Sequence, residues 1–274
     1  MFRCPVCGEK LMSKEKSFIC AQHHCYDRAR QGYVNLLLSS QSHGKRHGDD
    51  RKMVLARQNF LDQGYYQPLA DAILQIIHPF LSDGAFVLDV GCGECWYTAQ
   101  VAQLLRQQFP HAQISGIDIS KNALMVGAHR DRSIALAVAS AYHLPFFDNC
   151  CDVLLNIFSP CATDEFIRVL KPGGILIRAV PLERHLWSLK SAVYEHPYEN
   201  PAEKSELQGL QFIQKTAVQY RIHLPDPLSI QNLFCMTPYY YKTGKADQQK
   251  LSALHTLDTE AAFGVMLYQK AKLC

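Results

Sequence analysis

The stretch Val87-Leu88-Asp89-Val90-Gly91-Cys92-Gly93-Glu94-Cys95 restricts the fold of this 274-residue chain more than any other. Apolar strand-forming residues lead into a carboxylate and then into a turn with two glycines. A helix follows the turn and runs to about Gln108. Glycine at such a turn lets a ligand approach the backbone with no Cβ in the way. A second apolar run, Gln113 to Asp118, again ends in a carboxylate, 29 residues after Asp89. A carboxylate there can accept from both hydroxyls of a ribose. The pattern GxGxxG is absent, which argues against a nicotinamide dinucleotide as the ligand.

Further short apolar runs follow at 134–139, 151–156 and 174–180, separated by polar and helical stretches. Strands alternating with helices predict an α/β protein with a doubly wound parallel sheet. Upstream, Met53, Ala56, Phe60 and Leu61, then Leu69, Ile73, Leu74 and Ile77, recur at helical spacing until Pro79 stops the run. Residues 182–235, with Pro197, Pro201, Pro225 and Pro227, are less regular and read as a substrate-facing insertion.

The front of the chain has a different chemistry. Cys4-Pro5-Val6-Cys7 and Cys20-Ala21-Gln22-His23-His24-Cys25 are separated by twelve residues. Four thiolate or imidazole ligands on two turns satisfy tetrahedral zinc. The expected set is Cys4, Cys7, Cys20 and His24, with His23 and Cys25 as alternatives in the second cluster. A closed site of this kind is structural, folding a unit too small to bury a core by itself. The chain holds eleven cysteines, and its opening residues lack the apolar core of a secretory signal. Close cysteine pairs therefore read as metal ligands rather than disulfides, and the address as cytoplasmic. Cys150, Cys151, Cys161, Cys235 and Cys274 show no ligand spacing and are expected to act as small apolar residues. No run approaches the roughly 18–20 apolar residues that span a bilayer, so no membrane partner is expected.

These signals divide the chain into a zinc module at 1–38, a basic linker at 39–59 and a large domain at 60–274. The net charge of +3 is uneven: residues 1–60 carry +6 and the remainder −3. A basic front end on a mildly acidic body suits a polyanionic partner.

The glycine turn resembles the first motif of class I S-adenosylmethionine methyltransferases, DxGCGxG. His143-Leu144-Pro145-Phe146 ahead of Asp152, and Arg168-Val169-Leu170-Lys171-Pro172-Gly173-Gly174, match two more segments of those enzymes. The resemblance covers roughly 85–180 and implies a Rossmann-like sheet binding S-adenosylmethionine. It places Gly91 and Gly93 beside the methionine part, with Asp89 and Cys92 in the same turn. Asp118 falls at the ribose, and Ser140 and Ala141 beside the adenine. Two positions depart from the pattern. Cys95 replaces the third glycine, and Ser140 stands where an acidic residue contacts the adenine.

A narrower resemblance rests on the zinc module followed by Gly32-Tyr33-Val34-Asn35-Leu36-Leu37, Ala56-Arg57 and Phe60-Leu61-Asp62-Gln63-Gly64-Tyr65-Tyr66-Gln67-Pro68-Leu69. Asn156-Ile157-Phe158-Ser159-Pro160, Arg184-His185-Leu186 and Met236-Thr237-Pro238-Tyr239 extend it nearly end to end. This set is similar to the 23S ribosomal RNA guanine-N1 methyltransferases. It implies methyl transfer to a guanine N1 in an rRNA hairpin loop, with 23S rRNA as partner and a homodimer forming an RNA-sized cleft.

Ligands of doubly wound sheets bind beyond the carboxyl ends of the strands. Asn156, Ser159 and Pro160 are therefore the expected acceptor pocket, and Glu165 or Asp164 the expected base. Arg184, His185 and Lys190 are candidates for guanine O6 or phosphate. Lys45, Arg46, Arg51, Lys52 and Arg57 would track phosphates, and Tyr33 or one of Tyr239-Tyr240-Tyr241 would stack on a base. Two alternatives stand beside this reading. One is a small-molecule methyltransferase of the quinone-biosynthesis kind, whose LPF and KPGG segments are alike. The other is a non-catalytic RNA-binding zinc protein.

Overall fold

The computed structural model describes residues 2–41 and 48–272. Lys45, Arg46 and Cys274 lie outside them. The first 30 residues form a small three-stranded antiparallel sheet, β1 (Met12–Ser13), β2 (Ser17–Ile19) and β3 (Cys25–Asp27). The chain then enters β4 (Val34–Asn35), a two-residue strand within the Gly32–Leu37 stretch.

Helix α1 (Arg51–Asp62) begins where Asp50 caps it, its side chain accepting from the Met53 amide at 2.9 Å. The expected linker at 39–59 therefore holds a helix over its last nine residues. The reason is local: Asp50 supplies the cap, and Met53, Val54, Ala56 and Phe60 give a buried stripe. Helix α2 (Gln67–Ile77) has Pro68 in its first turn and buries Leu69, Ala70, Ile73 and Ile77.

The main sheet follows: β5 (Phe86–Val90), α3 (Trp96–Gln108), β6 (Gln113–Asp118), α4 (Lys121–Gly127), β7 (Ala135–Val138), β8 (Cys151–Ile157), α5 (Thr163–Val169) and β9 (Leu170–Pro181). After α6 (Trp187–Val193) comes a long strand, β10 (Leu210–Leu224). It is followed by α7 (Pro227–Cys235), α8 (Tyr239–Lys242), α9 (Lys245–Leu251) and a final strand, β11 (Leu257–Lys270). The order across the sheet is β10-β11-β9-β8-β5-β6-β7-β4. Strands β4 to β9 in this sheet are parallel, whereas β11 runs antiparallel to both β9 and β10. The central strands are buried on both faces, which is why they read as continuous apolar runs.

Residues 182–235 are not an insertion throughout, because Leu210–Leu224 is the edge strand of the main sheet. Its exposed positions mix Gln, Lys, Arg and His with Phe212 and Ile213, so the strand lacks the continuous apolar run of a buried one.

The zinc module is joined to this sheet. Val34 and Asn35 pair in parallel with Ala137 and Val138, and the Leu36 amide donates to the Val138 carbonyl at 2.9 Å. Phe2 contacts Phe146 at a centroid distance of 5.4 Å, and the Arg3 amide donates to the Pro145 carbonyl. One hydrophobic cluster accordingly runs from Phe2, Leu11 and Cys20 through to Leu88, Leu154 and Phe166.

Candidate active site and metal centre

The glycine turn sits at the carboxyl end of β5, between β6 and β8. Gly91 and Gly93 both have positive φ, +83° and +56°. Gly91 has a second reason to lack a side chain, since a Cβ there would fall 2.3 Å from the Cβ of Ser159. The Gly93 amide donates to Asp118 Oδ2 at 2.9 Å and the Ser120 amide to Oδ1 at 2.7 Å. Two amides thus fix the carboxylate while leaving lone pairs for ribose hydroxyls. Cys95 stands at a left-handed position, φ +63°, at the start of α3. Room for its sulfur comes from Gly127 on α4, where a Cβ would meet Cys95 Sγ at 2.6 Å. Gly116 on β6 makes the same allowance for Cys92 Sγ.

The electrostatics of the turn favour a cation. Asp89 is 1% exposed and accepts from Thr98 Oγ1 at 2.6 Å, while its Oδ1 has no partner among the described residues. Burial, helped by nearby Asp118 and Glu94, pushes its carboxyl up to about 7. Burial raises Glu94 and Asp118 as well, although Arg57 and Arg130 pull Glu94 back. S-adenosylmethionine carries a sulfonium and an ammonium, so it fits two buried carboxylates and the half-buried Asp118 around one turn. At the end of β7 the Ser140 hydroxyl accepts from the Tyr142 amide at 3.2 Å, and Ala141 is half-buried beside it.

The loop after β8 closes the other side of the turn. Asn156 is 1% exposed, and its amide nitrogen donates to Ser159 Oγ at 2.5 Å and to the Pro160 carbonyl at 3.1 Å. Its Oδ1 accepts from Arg178 Nε at 3.2 Å, and Arg178 pairs with Glu203. Ser159 Oγ donates to the Val90 carbonyl at 2.6 Å. These bonds hold Phe158 at φ +52° with its ring 44% exposed, beside Phe263, Tyr97 and Tyr66. Sequence reading contained Phe158 only as part of a matching stretch, because a left-handed aromatic has no sequence signal.

Several expected residues stand elsewhere. Both oxygens of Glu165 are engaged by Arg168, and one also accepts from the Leu144 amide at 2.6 Å. Burial alone would raise this carboxyl, but Arg168 and the amide hold it below the usual range. That environment suits a latch between α5 and the Leu144 segment rather than a proton acceptor. Asp164 is exposed in the first turn of α5.

His185 is buried between Tyr66, whose hydroxyl lies 3.3 Å from Nε2, and the Ala262 amide, which donates to Nδ1 at 3.2 Å. Burial, with Lys190 adding to it, lowers its imidazole to about 3. Lys190 is 1% exposed and donates to the Tyr198 carbonyl and to Asn200 Oδ1. Neither is placed to meet a phosphate: Lys190 lies on the buried stripe of α6, and His185, ahead of that helix, packs against Tyr66 and Phe263. Arg184 remains exposed, stacked over Trp187.

Arg57 is only partly exposed. It pairs with Asp49 at 2.6 Å and lies against Gly93, among Asp49, Glu94 and Asp118. Lys52 donates to the Tyr240 hydroxyl and Tyr241 to Asp50, while Tyr239 is buried. Arg51 is exposed, and Tyr33 is half-buried against the sheet.

In the N-terminal module Cys4, Cys7, Cys20 and His24 offer four ligand atoms within 4.8 Å of one another. Cys7 Sγ to Cys20 Sγ is 3.6 Å, and His24 Nδ1 lies 3.4 Å from Cys20 and 3.7 Å from Cys4. Ligands at about 2.3 Å in a tetrahedron stand roughly 3.7 Å apart, so this set fits zinc. The Cys20 amide donates to the His24 carbonyl, turning His24 inward, while His23 at φ +62° and Cys25 on β3 are exposed. The Tyr26 hydroxyl lies 3.3 Å from Cys4 Sγ, a supporting contact for a ligating thiolate.

The sheet order, the glycine turn and its acidic partner define an S-adenosylmethionine-dependent methyltransferase carrying a zinc ribbon. Comparison with known proteins agrees on both units. Residues 2–45 match the zinc-ribbon family model described as "RlmA, N-terminal", and residues 88–178 match a "Methyltransferase domain" model. The 23S rRNA (guanine(748)-N(1))-methyltransferase of Streptomyces fradiae is 34% identical over 70% of this chain and 67% of its own length. YxjB of Bacillus subtilis, assigned to the 23S rRNA (guanine-N(1)-)-methyltransferases, is 30% identical over 98% of this chain and 97% of its own. The chain belongs to the family of 23S rRNA (guanine-N1)-methyltransferases.

A demethylmenaquinone methyltransferase of Staphylococcus epidermidis is 32% identical, but over only 39% of this chain and 49% of its own. The crystal structure of the [4+2]-cyclase SpnF superposes with a TM-score of 0.50 at 18% identity, covering 75% of this chain and 81% of that one. That likeness concerns the fold alone.

Proposed function

We propose that the enzyme transfers the S-adenosylmethionine methyl group to N1 of a guanine in a hairpin loop of 23S rRNA. The observation that carries this reading is the pairing of β4 with β7. It joins the basic zinc ribbon to the catalytic sheet and leads the chain toward the cofactor end, where Asp49 meets Ser120. A small-molecule acceptor has no use for such a module. YxjB, an rRNA guanine-N1 methyltransferase by name, matches over 98% of the chain and so includes the ribbon, whereas the quinone enzyme matches over only 39%. The ribbon, residues 1–38, serves in this reading as the RNA-recognition unit. The enzyme works in the cytoplasm, where its rRNA is, and as a homodimer; sedimentation velocity at micromolar concentration checks the dimer.

When bound, S-adenosylmethionine supplies an electrophilic methyl group on sulfur. Asp118 would hold the ribose and Asp89 would offset the cationic end, with Gly91, Cys92 and Gly93 leaving room for the methionine part and Ser140 and Ala141 available to the adenine. Guanine N1 carries a proton, so alignment and removal of that proton limit the reaction. A flipped guanine rests on Phe158, the exposed aromatic at the carboxyl end of β8. Asn156 and Ser159 act as positioning residues, with Arg178 behind them. In the transfer, N1 would take the methyl group as the methyl–sulfur bond breaks with its electron pair left on sulfur, and the N1 proton would pass to water. Tyr33, Arg51 and Arg184 remain accessible enough to meet the RNA.

The test is methylation of undermodified 23S rRNA by the purified enzyme, read by primer extension, which stops at N1-methylguanine. Methylation of quinone precursors with no arrest on rRNA would sink the proposal. Cofactor calorimetry with Asp118→Ala addresses the non-catalytic alternative, which predicts no binding even by the wild type.

A further inference from the structure

Helix α1 carries Arg57 against the cofactor turn, and the two terminal nitrogens of its guanidinium have different surroundings. Nη2 pairs with Asp49 at 2.6 Å. Nη1 stands 3.3 Å from the point where a Cβ on Gly93 would project. Glycine at 93 thus leaves a space over the turn, and Arg57 Nη1 borders it. The side chain keeps 22% of its surface exposed, so a ligand can reach it. Burial raises the Asp118 and Glu94 carboxyls, and the charge on Arg57 pulls both back, which sets the guanidinium between the turn and the ribose carboxylate.

Asp49 is itself fixed. Its carbonyl accepts from Ser120 Oγ at 2.7 Å and from Asn122 Nδ2 at 3.4 Å, just past the end of β6. Gly48 packs there so closely that a Cβ would fall 2.8 Å from the Ser120 Cβ. The residues ahead of α1 are therefore tied beside Asp118, and the ion pair keeps Arg57 over the turn.

S-adenosylmethionine has one anionic group, the carboxylate of its methionine part. Among Asp89, Glu94 and Asp118 that carboxylate is repelled unless a cation faces it. Arg130 is also near the turn, but its Nε and Nη2 donate to Glu94 and its Nη1 to Asp62. We infer that Arg57 binds the methionine carboxylate of the cofactor through Nη1, with Asp49 as the positioning residue that holds the guanidinium through Nη2. A planar fork can serve two carboxylates in this way, one on each terminal nitrogen. The inference concerns the cofactor alone and does not depend on which acceptor is methylated.

Calorimetry on the full-length protein compares S-adenosylmethionine with decarboxylated S-adenosylmethionine, which keeps the sulfonium, amine, ribose and adenine. Arg57→Gln should weaken S-adenosylmethionine roughly 10–100-fold, as loss of one charge-assisted contact. Affinity for the decarboxylated analogue should stay within a few-fold of wild type. Asp49→Asn removes the positioning charge at nearly constant size; it should weaken S-adenosylmethionine by a smaller factor and again spare the analogue. Should Arg57→Gln fail to fold, Arg57→Lys carries the same comparison, with a partial loss confined to the ligand that has a carboxylate. An equal penalty on both ligands overturns the inference and makes Arg57 a support of the turn. Unchanged affinity for S-adenosylmethionine overturns it as well.

Discussion

At Asp89 the fold keeps a carboxylate where only a cation makes it welcome. Its folded value of about 7 lies above the ordinary 3.8, so the cofactor-free protein loses stability as pH rises through that window. The loss is complete above about pH 7. Cofactor binding runs the other way and should strengthen as pH rises through 7, because the ionised group attracts the sulfonium and ammonium. Asp89→Asn keeps an acceptor for Thr98 and removes the charge. It should raise the melting temperature of the cofactor-free protein at pH 8 by a few degrees, about 2–5 °C by calorimetry. The same change should weaken S-adenosylmethionine roughly tenfold or more, one charge contact in a buried site.

Glu165 predicts the opposite sign. Its carboxyl is held low, so its stabilisation is present above the unfolded value near 4.5 and is lost as pH falls through the lower folded one. Glu165→Gln should cost about 1–2 kcal/mol at pH 7 by urea denaturation, and leave the pH profile of kcat in place. A profile that lost its basic limb would return Glu165 to the chemistry. His185, lowered to about 3, should show no imidazole titration by NMR between pH 5 and 8.

Among the elements, α3 with its turn and β4 carry most of the function. The turn was readable because a strand, a carboxylate and two glycines are adjacent in sequence. Its lining was not, since Gly116 and Gly127 matter through the sulfurs of Cys92 and Cys95 across from them. Gly127→Ala brings a methyl within 2.6 Å of Cys95 Sγ and 3.1 Å of the Glu94 carbonyl carbon. It should cost on the order of 1–3 kcal/mol as overpacking and weaken the cofactor in parallel. Strand β4 is only two residues long and has no periodicity to detect, although its residues fall within the family's GYVNLL stretch. Leu36→Pro removes the amide bonded to Val138 and should loosen the ribbon from the sheet. The expected result is loss of rRNA methylation with S-adenosylmethionine affinity retained within a few-fold; equal loss of both would place β4 in the support of the cofactor site.

At the scale of the molecule, the zinc-ligating cysteines Cys4 and Cys20 and the sheet share one hydrophobic cluster, so the ribbon is not an independent bead. Chelation should abolish rRNA methylation and lower the melting temperature of the whole chain rather than open a separate early transition. What the sequence determined by itself was local: the parallel strands from their apolar runs, the cofactor turn from its glycines, and the two zinc-ligand clusters from their spacing, with the choice of His24 over His23 and Cys25 left to the fold. These rest on contacts between residues close in the chain. The tertiary structure decided which charged groups are free to act. Arg57 was turned onto the cofactor turn and Lys190 into the core, Glu165 was paired with Arg168, and Tyr97 was left without a partner beside Phe158. Burial and pairing set the reactivity of a side chain, and both come from segments far away in sequence.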